Sequence, residues 1–435
     1  MTDFEINGNK VTHKSIVLRE VEFELGRSYT IQEIEFLKAN SQDNLMRTKL
    51  FNFAELIPIF LADSSFIIQI NLTERWYIWP LPVFELADPN FNIWWQTKDF
   101  NRVNAGFNLD HNNFRGRAEK LSLRFKWGYN KQIGLAYNKP YINAEKTIGL
   151  SISTRYNQRY EVTYGTEDNE RKLYAELGES IREEWLNKVD LYYRPGNRFT
   201  SYLTLWHNQS QVVDTVLQLE QNYYLGNRNL SYFGASVLLV FDSRDLPSYP
   251  LSGWYSSLSI SKPGINPGRD YDFDIWSTEF TANYFKPISK LFYWATGVEG
   301  GLLSYKQLPY FFQSGFGITG NLRGYELYFI EAQRFIVVQN HLKLGLLQDR
   351  EFRLPFVKNP SFGRVPIEVF FGAYADLAYS EDDLYRYRNP LDRKLLLGYG
   401  LGLDVVTYYD FVFRVEYSSN RFGESEVYLH FKKAI

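Results

Sequence analysis

From about Trp76 to the C-terminus, apolar side chains recur at every second position over segments of ten residues or more. In "IEVFFGAYADLAYS", Ile367, Val369, Phe371, Ala373, Ala375, Leu377 and Tyr379 share one face, and Glu368, Gly372, Tyr374 and Asp376 share the other. In "LLLGYGLGLDVV", Leu395, Leu397, Tyr399, Leu401, Leu403 and Val405 oppose Gly398, Gly400, Gly402 and Asp404. "FVFRVEYS" sets Phe411, Phe413, Val415 and Tyr417 against Arg414 and Glu416. Side chains alternate in this way only along β-strands. A soluble sandwich buries the apolar face and wets the polar one, so a single strand of this kind fits either solvent. The set favours a transmembrane β-barrel, because the strands are long and aromatic residues gather toward their ends.

The remaining properties narrow the choice. No run approaches the ~20 apolar residues of a membrane helix, but a spanning strand needs only about 9–11 residues, alternately apolar. Net charge is -2, which argues against nucleic acid as a bulk electrostatic partner. The chain has no cysteine, so disulfides, thiol catalysis and cysteine metal sites are excluded. The start, "MTDFEINGNK", lacks the basic and apolar regions of a signal peptide.

Residues 1–75 read differently. "FEING" is a short strand, "THKSIVLREVEF" has helical spacing, and "TIQEIEFLKANSQDNLM" opens with Thr30 and Glu33 in a capping-box pattern. "FNFAELIPIF" and "SFIIQINL" follow as strands. The order β-α-α-β-β makes a small α+β module, with a free sheet edge expected on its second strand and Ala54 facing outward there. Residues 76–435 form the second expected domain, with about sixteen strands between Tyr77 and Phe431 and no helix. Tight connections such as "RPGN" and "KPIS" alternate with long ones at 209–230, 305–331 and 380–392, as in membrane barrels. A long connection at 350–366 falls on the side of the short turns.

Four ordered motifs carry a resemblance across nearly the whole chain. "FDSRDLPSYPLSGWYSSLSIS" resembles a strand-turn-strand of the Omp85 superfamily of outer-membrane barrels, with Asp242, Arg244, Asp245, Pro250 and Gly253 matching D-x-R-D…P-x-x-G. "NNFRGRAEKLSLRFKWGYNKQIGLAYNKPYI" resembles the family's early barrel strands. "NLRGYE" matches the R-G-F/Y signature of the sixth extracellular loop, and the leading module resembles a single POTRA domain. The resemblance implies a 16-stranded antiparallel barrel behind that domain. It also implies that the loop carrying Arg323, Gly324 and Tyr325 folds back into the lumen, where Arg323 pairs with Asp376. A guanidinium cannot discharge and, once enclosed, needs a carboxylate. The family often carries E-L-R on the preceding strand. Here the place is "HLK", and His341 and Lys343 are candidates to support the loop. The charged turn at 242–245 reads as a turn-stabilising cluster rather than a catalytic one.

The resemblance further implies an outer-membrane location in a Gram-negative bacterium, or less readily an organelle, with the POTRA domain in the periplasm. Partners would be membrane lipid, unfolded client outer-membrane or secreted proteins, and accessory assembly proteins. Clients would join the POTRA edge by β-augmentation, then enter a weak seam between the first strand, with Pro80 and Pro82, and the last, with Val427, Leu429 and Phe431. A two-partner-secretion-like pore, the barrel anchor of a patatin-like lipase fusion, and a soluble aromatic-rich binding protein are the alternatives. No hydrolase, metalloprotease or phosphate-loop motif is present. His13, His111, His207, His341 and His430 have no metal-ligand spacing, so neither cofactor nor metal is expected.

Overall fold

A computed structural model describes residues 1–61, 65–176, 178–196, 198–265, 273–318, 320–353, 364–407 and 411–433. The chain divides into two compact units. One comprises Met1–Val83, Ala105–Trp127 and Gln132–Arg155, and the other Phe84–Asn104, Gly128–Lys131 and Tyr156–Ile435.

The N-terminal part of the first unit runs β1 (Asp3–Asn7), α1 (Lys14–Arg19), α2 (Ile31–Arg47), β2 (Phe51–Phe60) and β3 (Phe66–Glu74). Thr30 and Glu33 close a reciprocal capping box at the start of α2. The sheet order is β1-β3-β2, with β1 parallel and β2 antiparallel to β3. Val17 of α1 and Leu45 of α2 are fully buried with Leu56, Ile68 and Ile70 of the sheet. Ala54 does not face outward: it is 4% exposed within this core, and its carbonyl accepts from Gln42 Nε2 at 3.0 Å. β2 remains an edge strand, but Gln42 occupies that carbonyl and Pro58 has no N–H to offer. Thr12 also meets Tyr77 and Asn113 through side-chain hydrogen bonds of 3.0 and 2.9 Å.

The rest of the chain continues as β4 (Ile78–Leu86), α3 (Phe91–Thr97), β5 (Val103–Phe114), β6 (Glu119–Gly128), β7 (Lys131–Lys139), β8 (Ile148–Arg159), β9 (Glu161–Glu167), β10 (Glu170–Ala175) and β11 (Arg182–Tyr193). Then come β12 (Phe199–Val212), α4 (Asp214–Leu219), β13 (Asn229–Asp242), β14 (Gly253–Ile265), β15 (Ile275–Pro287), β16 (Phe292–Tyr305), β17 (Gly315–Gly317) and β18 (Phe329–Glu331). The last five strands are β19 (Arg334–Arg353), β20 (Arg364–Glu381), β21 (Leu396–Thr407), β22 (Phe411–Asn420) and β23 (Ser425–Lys433). Sixteen strands form one sheet in the order β23-β22-β21-β20-β19-β16-β15-β14-β13-β12-β11-β8-β7-β6-β5-β4. The pairs β9-β10 and β17-β18 are separate two-stranded sheets.

Three expectations need correcting. Helices do occur after Trp76: α3 is capped by Asn90, whose Oδ1 accepts from the Ile93 N–H at 2.9 Å, and α4 has six residues. Both are too short for a 3.6-residue period to register. The connection at 350–366 begins and ends in strand: Arg350 pairs with Ile367 and Arg353 with Arg364, past two register shifts, and residues 354–363 lie outside the described residues. Finally, the sheet order ends at β4 and β23, and no β4–β23 ladder closes it among the described residues. Pro80 and Pro82 therefore lie on a terminal strand, where proline is tolerated.

The burial of the last strands is inverted relative to a soluble protein. Leu397, Tyr399, Leu401 and Leu403 of β21 are exposed, whereas Gly398, Gly402 and Asp404 are buried. On β20, Phe371, Leu377 and Tyr379 face out while Asp376 is fully enclosed. Water penalises both faces of this arrangement, and a hydrocarbon surround with a polar interior favours both. No helix among the described residues is long and apolar enough to cross a membrane, which leaves crossing by strands untouched.

Candidate functional site

The segment between β16 and β19 turns back against the interior face of the last strands. β17 and β18 pair at its neck, and Phe316, Leu322, Tyr325 and Ile330 form an apolar cluster with Val337, Ala378 and Leu396. Arg323 sits at its tip. Its Nη1 donates to both oxygens of Asp376, at 2.8 and 2.9 Å, and its backbone N–H donates to Oδ2 at 3.3 Å. The guanidinium also lies over the Tyr374 ring, 4.4 Å from its centroid, and its Nε comes within 3.6 Å of Glu416.

Two glycines make this approach possible. Gly324 has φ +76°, a left-handed conformation that costs other residues. A Cβ on Gly398 of β21 would stand 1.9 Å from the Arg323 carbonyl oxygen. Tyr325 is fully buried, Asn420 donates to the Gly324 carbonyl at 3.2 Å, and Gln339 donates to the Asn321 carbonyl at 2.7 Å.

His341 and Lys343 are both buried on β19, one step removed from the arginine. His341 meets Tyr374 edge-on at 5.5 Å, and Lys343 lies over the Tyr249 ring at 3.8 Å. Tyr249 comes from the charged turn between β13 and β14. There Arg244 grips Asp242 at 2.7 and 2.9 Å, Asp245 Oδ1 accepts from the Leu246 and Leu251 N–H groups, and Pro250 leads on to Gly253 at φ +103°. These contacts stay within the turn, whereas Tyr249 reaches inward and donates to Asp404 Oδ2 at 2.7 Å. Asp404 in turn takes Arg414 in a bidentate pair at 2.6 and 3.0 Å. A cavity of about 230 Å³ opens beside these groups, lined by Arg244, Tyr249, Asn283 and Arg323 among others.

At the end of the sheet, Val427 is 60% exposed and Leu429 partly so, and the Phe431 side chain lies outside the described set. The Leu429 N–H donates to Asn92 Oδ1 of α3 at 2.8 Å. The Asn92 amide donates to Glu326 Oε2 at 3.1 Å, and Asn90 donates to the Ile318 and Glu326 carbonyls, both at 3.0 Å. Helix α3 thus joins the re-entrant segment to the final strand. The sequence singles out none of Asn92, Glu326 and Tyr249. It places Arg414 on the polar face of its strand, as a charge in an otherwise apolar alternation, without revealing its partner.

Comparison with known proteins agrees with this architecture. The Omp85 superfamily domain matches residues 113–407. No curated relative is similar enough in sequence to match. Among solved structures, BamA from Haemophilus ducreyi lacking POTRA domains 1–3 is similar at a TM-score of 0.69 and 14% identity, over 99% of this chain and 83% of that one. CdiB from Escherichia coli is similar at 0.57 and 13%, over 99% and 75%. CdiB from Acinetobacter baumannii is similar at 0.54 and 13%, over 99% and 73%.

Proposed function

The chain belongs to the Omp85 superfamily of outer-membrane β-barrels, which insert or transport proteins, and from that premise we propose that it inserts clients laterally, at the free edge of β23. The observation that carries this reading is the partner of the Leu429 N–H. The donor goes to a side chain of α3, where a closed ladder would supply a backbone carbonyl. A client strand arriving there displaces one amide and gains a whole ladder, so its backbone groups are satisfied before they meet lipid.

In this reading the re-entrant segment is a strut. Arg323 and Asp376 hold it against β20, and α3 relays its position to the last strand. The N-terminal module, in the periplasm, receives unfolded clients by strand addition at a sheet edge. The work is physical throughout: hydrogen bonds are exchanged, and no covalent bond is made or broken.

Site-specific photocrosslinking tests the route. A photoreactive phenylalanine analogue is placed at Val427, on the outward face of β23, or at Asn283, which lines the interior cavity. The protein is reconstituted in phospholipid liposomes and given a urea-unfolded outer-membrane client. Lateral insertion gives client adducts at Val427. Adducts confined to Asn283 defeat the proposal and favour passage through the interior, as the secretion-pore alternative requires.

A further inference from the structure

Glu326, Glu416 and His430 come from three separate pieces of chain: the re-entrant segment, β22 and β23. His430 Nε2 stands 3.2 Å from Glu326 Oε1 and 3.9 Å from Glu416 Oε2, and the three ligand atoms all lie within 4.8 Å of one another. Both glutamates are 1% exposed. One oxygen of each is held by a neighbour. Glu326 Oε2 accepts from the Asn92 amide at 3.1 Å, and Glu416 Oε1 accepts from the Ser418 hydroxyl at 2.7 Å. The other oxygens, Glu326 Oε1 and Glu416 Oε2, are buried without a hydrogen-bond partner, and these are the two that face the imidazole.

Nearby cations do not account for them. Arg323 gives its Nη1 to both oxygens of Asp376 and comes no nearer to Glu416 than 3.6 Å. Arg414 is bidentate with Asp404 and stays 4.0 Å from Glu416. Each arginine is thus matched by its own aspartate. Lys343 stacks on Tyr249, the phenol that bonds Asp404. Glu416 thus has only the outer reach of two arginines already bonded to aspartates, and Glu326 has only the His430 imidazole beside it. Buried carboxylates so weakly matched are costly unless a further cation joins them.

We propose that Glu326, Glu416 and His430 bind a divalent transition-metal ion of the zinc type. One imidazole nitrogen and two carboxylate oxygens suit such an ion, whereas calcium and magnesium prefer oxygen alone. Around a tetrahedral ion with ~2.0–2.1 Å bonds, donor atoms stand roughly 3.3–3.4 Å apart. The His430–Glu326 separation of 3.2 Å is already close to that, the His430–Glu416 separation of 3.9 Å would shorten by about half an ångström, and the two carboxylate oxygens already lie within 4.8 Å of each other. Asn92 and Ser418 orient the free oxygens, as outer-shell partners of metal ligands do. Occupancy would staple the re-entrant segment to the last two strands. Its effect on insertion rests on the lateral-edge reading, but the binding itself does not.

The test uses the full-length protein refolded in detergent, stripped with chelator and titrated with Co²⁺ in the absence of any client. The expected result is one Co²⁺ per chain with the visible bands of a low-coordinate site. His430→Asn and Glu326→Gln should each weaken binding at least tenfold, and Asn92→Ala roughly tenfold through the outer shell. Heat-modifiable gel mobility confirms that each variant has folded. If His430→Asn does not fold, His430→Cys decides: it keeps the ion and adds a thiolate charge-transfer band, which no native residue can produce because the chain has no cysteine. Absence of Co²⁺ binding by the wild type overturns the proposal. So do bands that persist in His430→Asn, and a folded His430→Cys without the new band.

Discussion

Replacing Arg323 with alanine removes two side-chain hydrogen bonds to Asp376, at 2.8 and 2.9 Å, and leaves the 3.3 Å backbone contact in place. Hydrogen bonds to a charged group contribute about 1.5–3 kcal/mol each, so the direct loss is about 3–6 kcal/mol. Loss of the stacking on Tyr374 adds ~1 kcal/mol. Relaxation limits the total. The stranded carboxylate, fully enclosed on β20, can escape its charge by taking up a proton. From the ordinary aspartate value of ~3.9, that costs about 4 kcal/mol at pH 7 and about 1.5 kcal/mol at pH 5. The defect should therefore saturate near 4 kcal/mol at neutral pH and shrink in acid. The direct assay is hydrogen exchange of residues 315–331, corrected for intrinsic rates, because exchange from a locally opened segment reports its opening free energy. Arg323→Ala should speed exchange roughly a thousandfold at pH 7 and about tenfold at pH 5. Adding Asp376→Asn should recover most of the protection, since no buried charge remains. Exchange within twofold of wild type at pH 7, or a double variant as open as the single one, would refute the ion-pair argument.

The neck of the same segment carries an opposite pH dependence. Glu331 is fully buried, accepting from Tyr310 and Thr166 at 2.6 and 2.7 Å, and burial outweighs these bonds to push its carboxyl up to about 6. The folded value exceeds the unfolded one, so this contribution is complete below about 4.5, lost as pH rises through about 6, and amounts to about 2 kcal/mol. Exchange protection of residues 329–333 should rise on acidification, and Glu331→Gln should flatten the profile. At the sheet edge of the N-terminal module, Gln42→Ala frees the Ala54 carbonyl for a client N–H. A labelled client peptide should then bind about two- to twelvefold more tightly by fluorescence anisotropy, and unchanged affinity would point to β1. On the outward face, Leu401→Arg should destabilise the liposome-embedded protein by ~2–4 kcal/mol in urea unfolding, whereas a water-facing site would tolerate it.

Much of the fold is legible in the sequence because its signals are periodic. The alternation in β20 to β22 belongs to residues two apart, and the capping box of α2 to residues three apart, so local reading finds both. Arg323 and Asp376 are far apart in sequence, yet an arginine beside glycine in a long non-alternating segment and an aspartate on a polar strand face are each conspicuous. The rest is hidden by its construction. Asn92 acts through one amide on a helix of two turns, and asparagine is too common in loops to be noticed. Glu326, Glu416 and His430 lie on segments whose adjacency only the sheet order creates, which is why inspection of histidine spacing missed them. The glycine face of β21 is visible as a pattern, but its purpose at Gly398 appears only when the Arg323 carbonyl is seen against it. The burial of Ala54 is not legible locally, because burial on a half-covered sheet depends on which face the helices occupy.

The parity of the strands bears on how such a chain can vary. On β20 and β21 every odd-numbered position from Phe371 to Tyr379 and from Leu397 to Leu403 looks away from the interior, apart from partly buried Ala373, and the even positions look in. Insertion of one residue within β21 would turn everything beyond it by half a turn, bringing Leu403 inside and presenting Asp404 to the surround. Insertion of two would preserve the sidedness and alter only length and stagger. Changes of chain length inside the spanning strands are therefore confined to pairs of residues. The connections obey no such rule, and segments like 213–228 or 382–395 are free to drift by any number. Closely related chains should differ in strand length by even steps and in loop length by steps of either kind.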